Sequence, residues 1–256
     1  MGISWSRELE LARAAAAQAG QLALRHQRGI RAEKKADDSP VTEADRECER
    51  LIAGLLNDAF PEDGILGEEG ARAESRSGRR WIIDPIDGTR DYMRGNPLWA
   101  NLIALEAGGE VVAGAVNLPM LGLFYSASRG NGAYCNDARI QASTITSVEE
   151  AVLCCNGLNK LDGVPFRDRL LEWMAGFWSI RALGGAADAM MVASGQAEVW
   201  IEPSAATWDF APLKVIAEEA GAAFFNLDGG SRIEAGNGVI CAPGLERQVR
   251  RFLMNA

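Results

Sequence analysis

The stretch Trp81-Ile82-Ile83-Asp84-Pro85-Ile86-Asp87-Gly88-Thr89 puts two carboxylates and a hydroxyl beside a proline and a glycine. Trp81, Ile82 and Ile83 are large and apolar, two of them β-branched, and predict a buried strand; Pro85 and Gly88 predict a turn at its end. A strand that hands acids to a loop is where α/β sheets place their chemistry, and a fixed backbone lets Asp84 and Asp87 point at one spot. Two carboxylates about 4 Å apart repel by about 4 kcal/mol at an effective dielectric of about 20, so the pair calls for a counter-charge. A divalent cation supplies it, and hard oxygen donors without a nearby His or Cys select Mg²⁺, Mn²⁺ or Ca²⁺ over zinc or copper. An ordinary Asp-rich turn is the competing reading of the stretch.

The rest of the composition narrows the chemistry. His26 is the single histidine, near the end of a helical stretch, where a solvated or dipole-paired role fits it better than a Ser-His-Asp or Cys-His mechanism. The cysteines Cys48, Cys135, Cys154, Cys155 and Cys241 are odd in number and form no CxxC pair, which argues against a zinc site or a disulfide framework and for reduced core residues. A net charge of −9 gives no electrostatic footprint for nucleic acid or an anionic membrane, so an anionic substrate would need metals or a local Arg. The 256 residues, 48% hydrophobic, can bury a sizeable core as one large domain or two small ones. The polar, acidic start shows no signal peptide, no apolar run reaches the roughly 18 residues of a membrane span, and the cytoplasm is the expected compartment.

Elements must position these acids. Apolar spacing predicts a helix from Ser4 to about Gln27 with Gly29 as its C-cap. A polar loop containing Asp37 follows, and then a second helix with Thr42 as N-cap and Asp45 as its N3 acid, stopped by Pro61. Gly64 to Gly70 reads as a strand end giving onto a loop, where adjacent Glu68 and Glu69 point apart so that one faces a site. Arg72 to Arg80 reads as a charged surface loop. Three antiparallel strands are expected over 98–106, 111–118 and 121–127, and the polar run 139–150 marks a boundary between subdomains 1–145 and 146–256. In the second half, strands are expected near 152–156, 179–183, 198–202, 222–226 and 238–241. Helices are expected over 166–175, 188–194, 206–220 and 244–254. Gly184-Gly185-Ala186-Ala187, between a strand and a helix, suits either ligand approach or close packing. Asp209, in a first helical turn, suits either a dipole-paired acid or a site acid.

Asp84-Pro85-Ile86-Asp87-Gly88-Thr89, with Gly67-Glu68-Glu69 upstream and Trp208-Asp209 downstream, resembles the signature of the inositol monophosphatase family of metal-dependent phosphomonoesterases, in that family's order and spacing over nearly the whole chain. The resemblance implies an α+β fold, a layered α-β-α-β-α sandwich of two subdomains. The first would carry most metal ligands, the second Asp209 and the substrate-recognition residues. It implies Glu68, Asp84, the carbonyl of Ile86, Asp87 and Asp209 as ligands of two or three Mg²⁺ ions, for which Mn²⁺ can substitute. Asp45, Glu68 and Thr89 become catalytic, with Thr89 holding the attacking water and Asp45 behind it. The N–H groups of Gly88 and Thr89 are expected to cradle the phosphate. Glu202, Gly184, Gly185 and Ala186 match the substrate side. In two-metal chemistry one ion acidifies and orients a water while the other neutralises the leaving oxygen.

Inositol monophosphate is the first substrate expectation. Histidinol-phosphate phosphatases of the same superfamily are similar around Asp84 to Pro97 and in Val41-Thr42-Glu43-Ala44-Asp45, but often carry an acid where this chain has Gly185; histidinol phosphate is therefore the alternative. Nucleotide, sulfonucleotide or sugar-bisphosphate hydrolysis follows. Inhibition by Li⁺ and a homodimer are also implied, with a small phosphate ester as partner and neither nucleic acid nor membrane. A non-catalytic metal-binding protein is the reading from another class, and the completeness of the acid set argues against it.

Overall fold

The computed structural model describes residues 4–27, 32–34 and 40–254. Helix α1 (Ser6–His26) carries Ala12, Ala15, Ala16, Ala19 and Ala23 on one buried stripe, small side chains at helical spacing that let it lie close to its neighbours. It closes with the Gln27 N–H on Ala23 O at 3.0 Å. Gly29, expected as its cap, and Asp37 lie outside the described residues. A short hairpin, β1 (Ala32–Lys34) with β2 (Pro40–Thr42), delivers Thr42 to the start of α2 (Glu43–Ala59), where Thr42 and Asp45 form the expected capping box.

The larger sheet is built from β3 (Gly64–Gly67), β4 (Arg72–Ala73) and β5 (Arg79–Asp87), then, after the short helix α3 (Thr89–Arg94), from β6 (Ala100–Ala107), β7 (Glu110–Leu118), β8 (Leu123–Ser128), β9 (Ala133–Cys135) and β10 (Ala138–Ile140). Its order is β10-β9-β8-β7-β6-β5-β3-β4, and among these pairs β3 and β5 run parallel. Side chains alternate along β5: Trp81 and Ile83 pack towards α1 and α2, Ile82 towards the other face. Two expectations change here. Arg72 to Arg80 is not wholly a loop, because Arg79 opens β5 with its guanidinium 2.8 Å from both Asp63 and Glu8. The β9–β10 hairpin was not expected; it turns on Asn136 and Asp137, whose φ of 47° and 65° suit the tight turns that match strand twist.

The second half supplies β11 (Val152–Cys155), α4 (Leu170–Met174), β12 (Ser179–Arg181), α5 (Gly185–Ala193), β13 (Val199–Glu202), α6 (Thr207–Glu219), β14 (Ala223–Phe225), β15 (Gly238–Cys241) and α7 (Glu246–Met254). The strands form a five-stranded sheet in the order β12-β11-β13-β15-β14, parallel up to β13 and antiparallel beyond it. Leu153, Cys155, Val199 and Ile201 pack with Leu170, Val249 and Leu253, while Cys154 and Trp200 turn to the core shared with α5 and α6. The layers run α1/α2, large sheet, α5/α6, small sheet, α4/α7, the five-layer sandwich expected. The helix expected over 166–175 is instead a 3₁₀ turn at Arg167–Arg169 followed by α4, with the Phe166 ring buried just before it. Helix α5 begins three residues earlier than expected because the Asp188 carboxylate reaches back to the N–H groups of Leu183 (2.9 Å) and Gly184 (3.2 Å).

The seat of α6 on the large sheet depends on Gly114. A Cβ there would lie 2.6 Å from Val215 Cγ1 and 3.0 Å from Pro212 Cα, so only a residue without a side chain lets the helix backbone rest on β7.

Candidate metal centre and active site

Asp84 and Asp87 leave the end of β5 where its pairing with β6 slips register between them. Pro85, which has no N–H to donate, lies within the slip, and its carbonyl accepts Asn101 Nδ2 at 2.6 Å. Asp84 Oδ1 accepts the Ile86 N–H at 3.0 Å. Asp209 arrives from the first turn of α6, its Oδ2 accepting the Ala206 N–H at 2.7 Å. One carboxylate oxygen from each of Asp84, Asp87 and Asp209 lies within 4.8 Å of the others. Glu68, on the turn after β3, lines the same cavity of about 430 Å³ and is hydrogen-bonded to Asp84. Glu68, not Glu69, lines the cavity, and the two stand in the turn beyond the end of β3 at Gly67.

Crowding buried acids has an electrostatic consequence. Burial, and then the charges of Glu68, Asp209 and Asp87, push Asp84 well above the usual carboxylate range. Burial, with Asp209 beside it, raises Asp87 to about 7, although the Ala186 N–H opposes the shift. Asp209 is raised by burial against the pull of the Ala206 N–H. Carboxyl groups so close share protons unless a cation neutralises them. The donor set fits a hard divalent cation: it is all oxygen, with Ile86 also lining the cavity, and among the described residues no His or Cys joins the three-acid cluster. Three helix N-termini also face this cavity, with Gly88, Gly184 and Ala206 as the N-caps of α3, α5 and α6; their partial positive charge eases the concentration of acids.

Asp45 divides its carboxylate. Oδ2 accepts the Thr42 N–H at 2.8 Å and the Thr42 hydroxyl, and Oδ1 lies 3.2 Å from Thr89 Oγ1. The capping role and the site role, which compete in the sequence, are held by the same residue through different atoms. Asp45 is fully buried, and burial raises its pKa despite the Thr42 bonds. Thr89 Oγ1 is also 3.2 Å from Ile86 O, so its single proton has two acceptors to choose between.

Glu202, Gly184, Gly185 and Ala186 line the cavity too. The Ala186 N–H is already bonded to Asp87 Oδ2 at 3.1 Å, so that group orients an acid and does not meet a substrate. Glu202 is 4% exposed; its Oε2 accepts Asn156 Nδ2 at 2.5 Å and its Oε1 the Ser204 N–H at 3.2 Å, and burial raises its pKa. Sequence reasoning missed Asn156, Lys160 and Arg90, which line the same cavity. Arg90 follows Thr89 directly and was within reach of a reading that asked for a local Arg. Asn156 ends a strand expected near 152–156, and Lys160 lies in a stretch with no periodicity to mark it. His26 bonds Glu47 Oε2 at 2.8 Å and is not among the residues lining the cavity.

The model of the inositol monophosphatase family matches residues 5–254. A histidinol-phosphatase of Chlorobaculum parvum is 39% identical over 92% of this chain and 92% of its own. An inositol-1-monophosphatase of Mesorhizobium japonicum is 36% identical over 78% and 79%. The crystal structure of the extragenic suppressor protein suhB from Bartonella henselae superposes with a TM-score of 0.88 at 29% identity, covering 97% of this chain and 98% of that one.

Proposed function

The chain belongs to the inositol monophosphatase family and is a phosphoric monoester hydrolase; we propose that it works with Mg²⁺ and that its substrate is histidinol phosphate. The observation that carries the proposal is the meeting, in one cavity, of the Asp84, Asp87 and Asp209 cluster with a buried Glu202. Glu68, Asp84, Asp87 and Asp209, with the Ile86 carbonyl, would hold two or three ions, and Mn²⁺ could replace Mg²⁺. When bound, such ions supply neutralisation of phosphoryl charge and acidification of water.

The chain's own groups do the rest. The Thr89 hydroxyl donates its hydrogen bond to Asp45 Oδ1, which leaves the Thr89 oxygen able to accept a hydrogen bond from the attacking water. As the water closes on phosphorus, its proton passes to Thr89 while that of Thr89 passes to Asp45. Burial raises Asp45 towards the working pH, which makes it the better base. The N–H groups of Gly88 and Thr89, at the start of α3, hold the phosphoryl oxygens.

Glu202 bears on the leaving group. A primary ammonium on that group would neutralise a buried carboxylate that a neutral polyol leaves with its charge. This reverses the order expected from sequence, and the departure at Gly185 does not stand in the way. A Cβ at Gly185 would lie 3.5 Å from both Asp87 oxygens and 3.8 Å from Asn156 Nδ2, so an acid there would enter the space beside Asn156, which here holds Glu202. The relative of 39% identity carries the name histidinol-phosphatase. Inositol monophosphate remains the second reading, favoured by the relative of 36% identity.

The test is phosphate release from histidinol phosphate, inositol 1-phosphate, a nucleotide and a sugar bisphosphate, with Mg²⁺ and with chelator. Histidinol phosphate should give the highest kcat/KM, and only with metal; a tenfold preference for inositol 1-phosphate would overturn the substrate, and full activity in chelator the metal. The proposal keeps two subdomains, 1–145 and 146–256, since the strands of the large sheet end at Ile140 and those of the small sheet begin at Val152. It places the protein in the cytoplasm; among the described residues no helix is long and apolar enough to cross a membrane. A homodimer would cover the exposed Leu171 and Trp178, and sedimentation tests it.

A further inference from the structure

Behind the turn that presents Glu68 lies a buried carboxylate that the reaction itself does not use. Glu49 stands one helical turn after Asp45 on α2, 3% exposed. Its Oε2 accepts the Glu69 N–H and its Oε1 the Ala71 N–H, both at 2.7 Å. The turn around it is closed by the Gly67 N–H on Ala71 O at 2.8 Å and tied to β5 by the Glu68 N–H on Ile83 O at 3.1 Å. Arg72 Nη1 donates to the carbonyls of Gly67 and Ala71 from outside. Gly67 completes the fit: a Cβ there would lie 2.2 Å from Glu49 Oε2, so the carboxylate occupies the place of a side chain. The N–H groups of Glu69 and Ala71, which follow Glu68 in the turn, are thus drawn inward to Glu49, while the Glu68 side chain faces the cavity.

We propose that Glu49 is a positioning residue that fixes Glu68 for cation binding. Both acceptor atoms are needed. A Gln at 49 would keep one C=O but turn an NH₂ group towards the second N–H, so the volume and one bond survive while the turn loses its other anchor. Groups one shell out from a metal ligand change affinity by roughly 10–100-fold when removed. The inference rests on the reading of Glu68 as a ligand, and the experiment separates the two.

Mg²⁺ binding is measured by calorimetry and by the shift in melting temperature on adding the ion, for the parent, Glu68→Gln, Glu49→Gln and Gly67→Ala, with phosphate release alongside. Glu49→Gln should weaken Mg²⁺ binding about tenfold or more and raise the Mg²⁺ concentration for half-maximal activity in proportion, with kcat at saturating Mg²⁺ within about threefold of the parent. Gly67→Ala, which displaces the same carboxylate, should copy this, and the double variant should be little worse than either single. If Glu68→Gln binds Mg²⁺ as the parent does, the ligand reading fails. If Glu68→Gln is impaired while Glu49→Gln and Gly67→Ala bind like the parent, the positioning role of Glu49 fails alone. A fall in metal-free melting temperature with unchanged Mg²⁺ affinity would also overturn it, because that is the mark of a structural role only.

Discussion

Replacing Asp87 by Asn tests whether the acid cluster is built for a cation. Asp87 is raised to about 7 from an ordinary 3.8, by burial first and Asp209 second. Because the folded value exceeds the unfolded one, the native state binds the extra proton: the stability this group gives is fully present below the unfolded value and is lost as pH rises through about 7. The full shift corresponds to about 4 kcal/mol, and water reaching Asp87 through the cavity mouth lowers that to about 2–4 kcal/mol at pH 8. Asn has no charge to bury and keeps an oxygen for the Ala186 N–H. In chelator at pH 8 the variant should therefore melt above the parent by roughly 5–15 °C, using about 2–4 °C per kcal/mol for a chain of this size. At pH 5 the advantage should shrink by more than half, as the parent's carboxyl takes up its proton. Mg²⁺ at about 1,000 times its Kd should reverse the order, since it adds about 4.1 kcal/mol to the protein that binds it. Activity should fall by at least about 100-fold. Scanning calorimetry across pH, with and without Mg²⁺, reads all of this. A variant that melts below the parent in chelator at pH 8 would refute the reasoning, because Asp87 would then be held by partners that outweigh its burial.

Glu202→Gln should lower kcat/KM for histidinol phosphate by about 5–150-fold, the worth of a buried charged contact of about 1–3 kcal/mol, and leave the Mg²⁺ requirement in place; equal losses on inositol 1-phosphate would remove Glu202 from leaving-group recognition. Thr89→Val and Asp45→Asn should each cut kcat by roughly 100-fold or more and show little further loss when combined, as expected of two groups on one proton path; additive losses would separate them. Gly114→Ala should cost about 1–3 kcal/mol in denaturant unfolding, because α6 must lift from β7 to admit the methyl; an unchanged midpoint would mean that the helix shifts freely. Li⁺ should inhibit turnover in competition with the required cation, and a rate unaffected by millimolar Li⁺ would separate this chain from the family expectation.

What could be read from sequence was what local chemistry decides. The β5 strand and its acids announce themselves through three apolar residues, a proline and a glycine in consecutive order, and the capping acids Asp45 and Asp209 through their offset from a helix start. The five layers came through resemblance. Features that depend on a distant surface did not show. Gly114 looks like any small residue in a strand until α6 is laid across it. Arg79 reads as loop until Asp63 and Glu8 are brought to it. Helix α5 starts at Gly185, a poor helix former, because Asp188 caps it from one turn inside. Glu49 was the hardest to see, since its partners are backbone N–H groups about 20 residues away, which no side-chain pattern encodes. Its one sequence signal is the spacing of four from Asp45, which puts both acids on the same face of α2.

The three-acid cluster joins parts of the chain that the sequence keeps far apart. Asp84 and Asp87 lie at the end of an interior strand of the first sheet, and Asp209 opens a helix roughly 120 residues later. An ion held by all three ties the ends of that long loop together, as a removable staple. A covalent tie across a loop of about 100 residues is worth about 4.7 kcal/mol in chain entropy alone. A coordinated tie adds to the folded state only while its cation stays bound. Loading would then govern how long the two halves of the molecule remain docked, so the supply of divalent cation would set the protein's lifetime against proteolysis as well as its turnover.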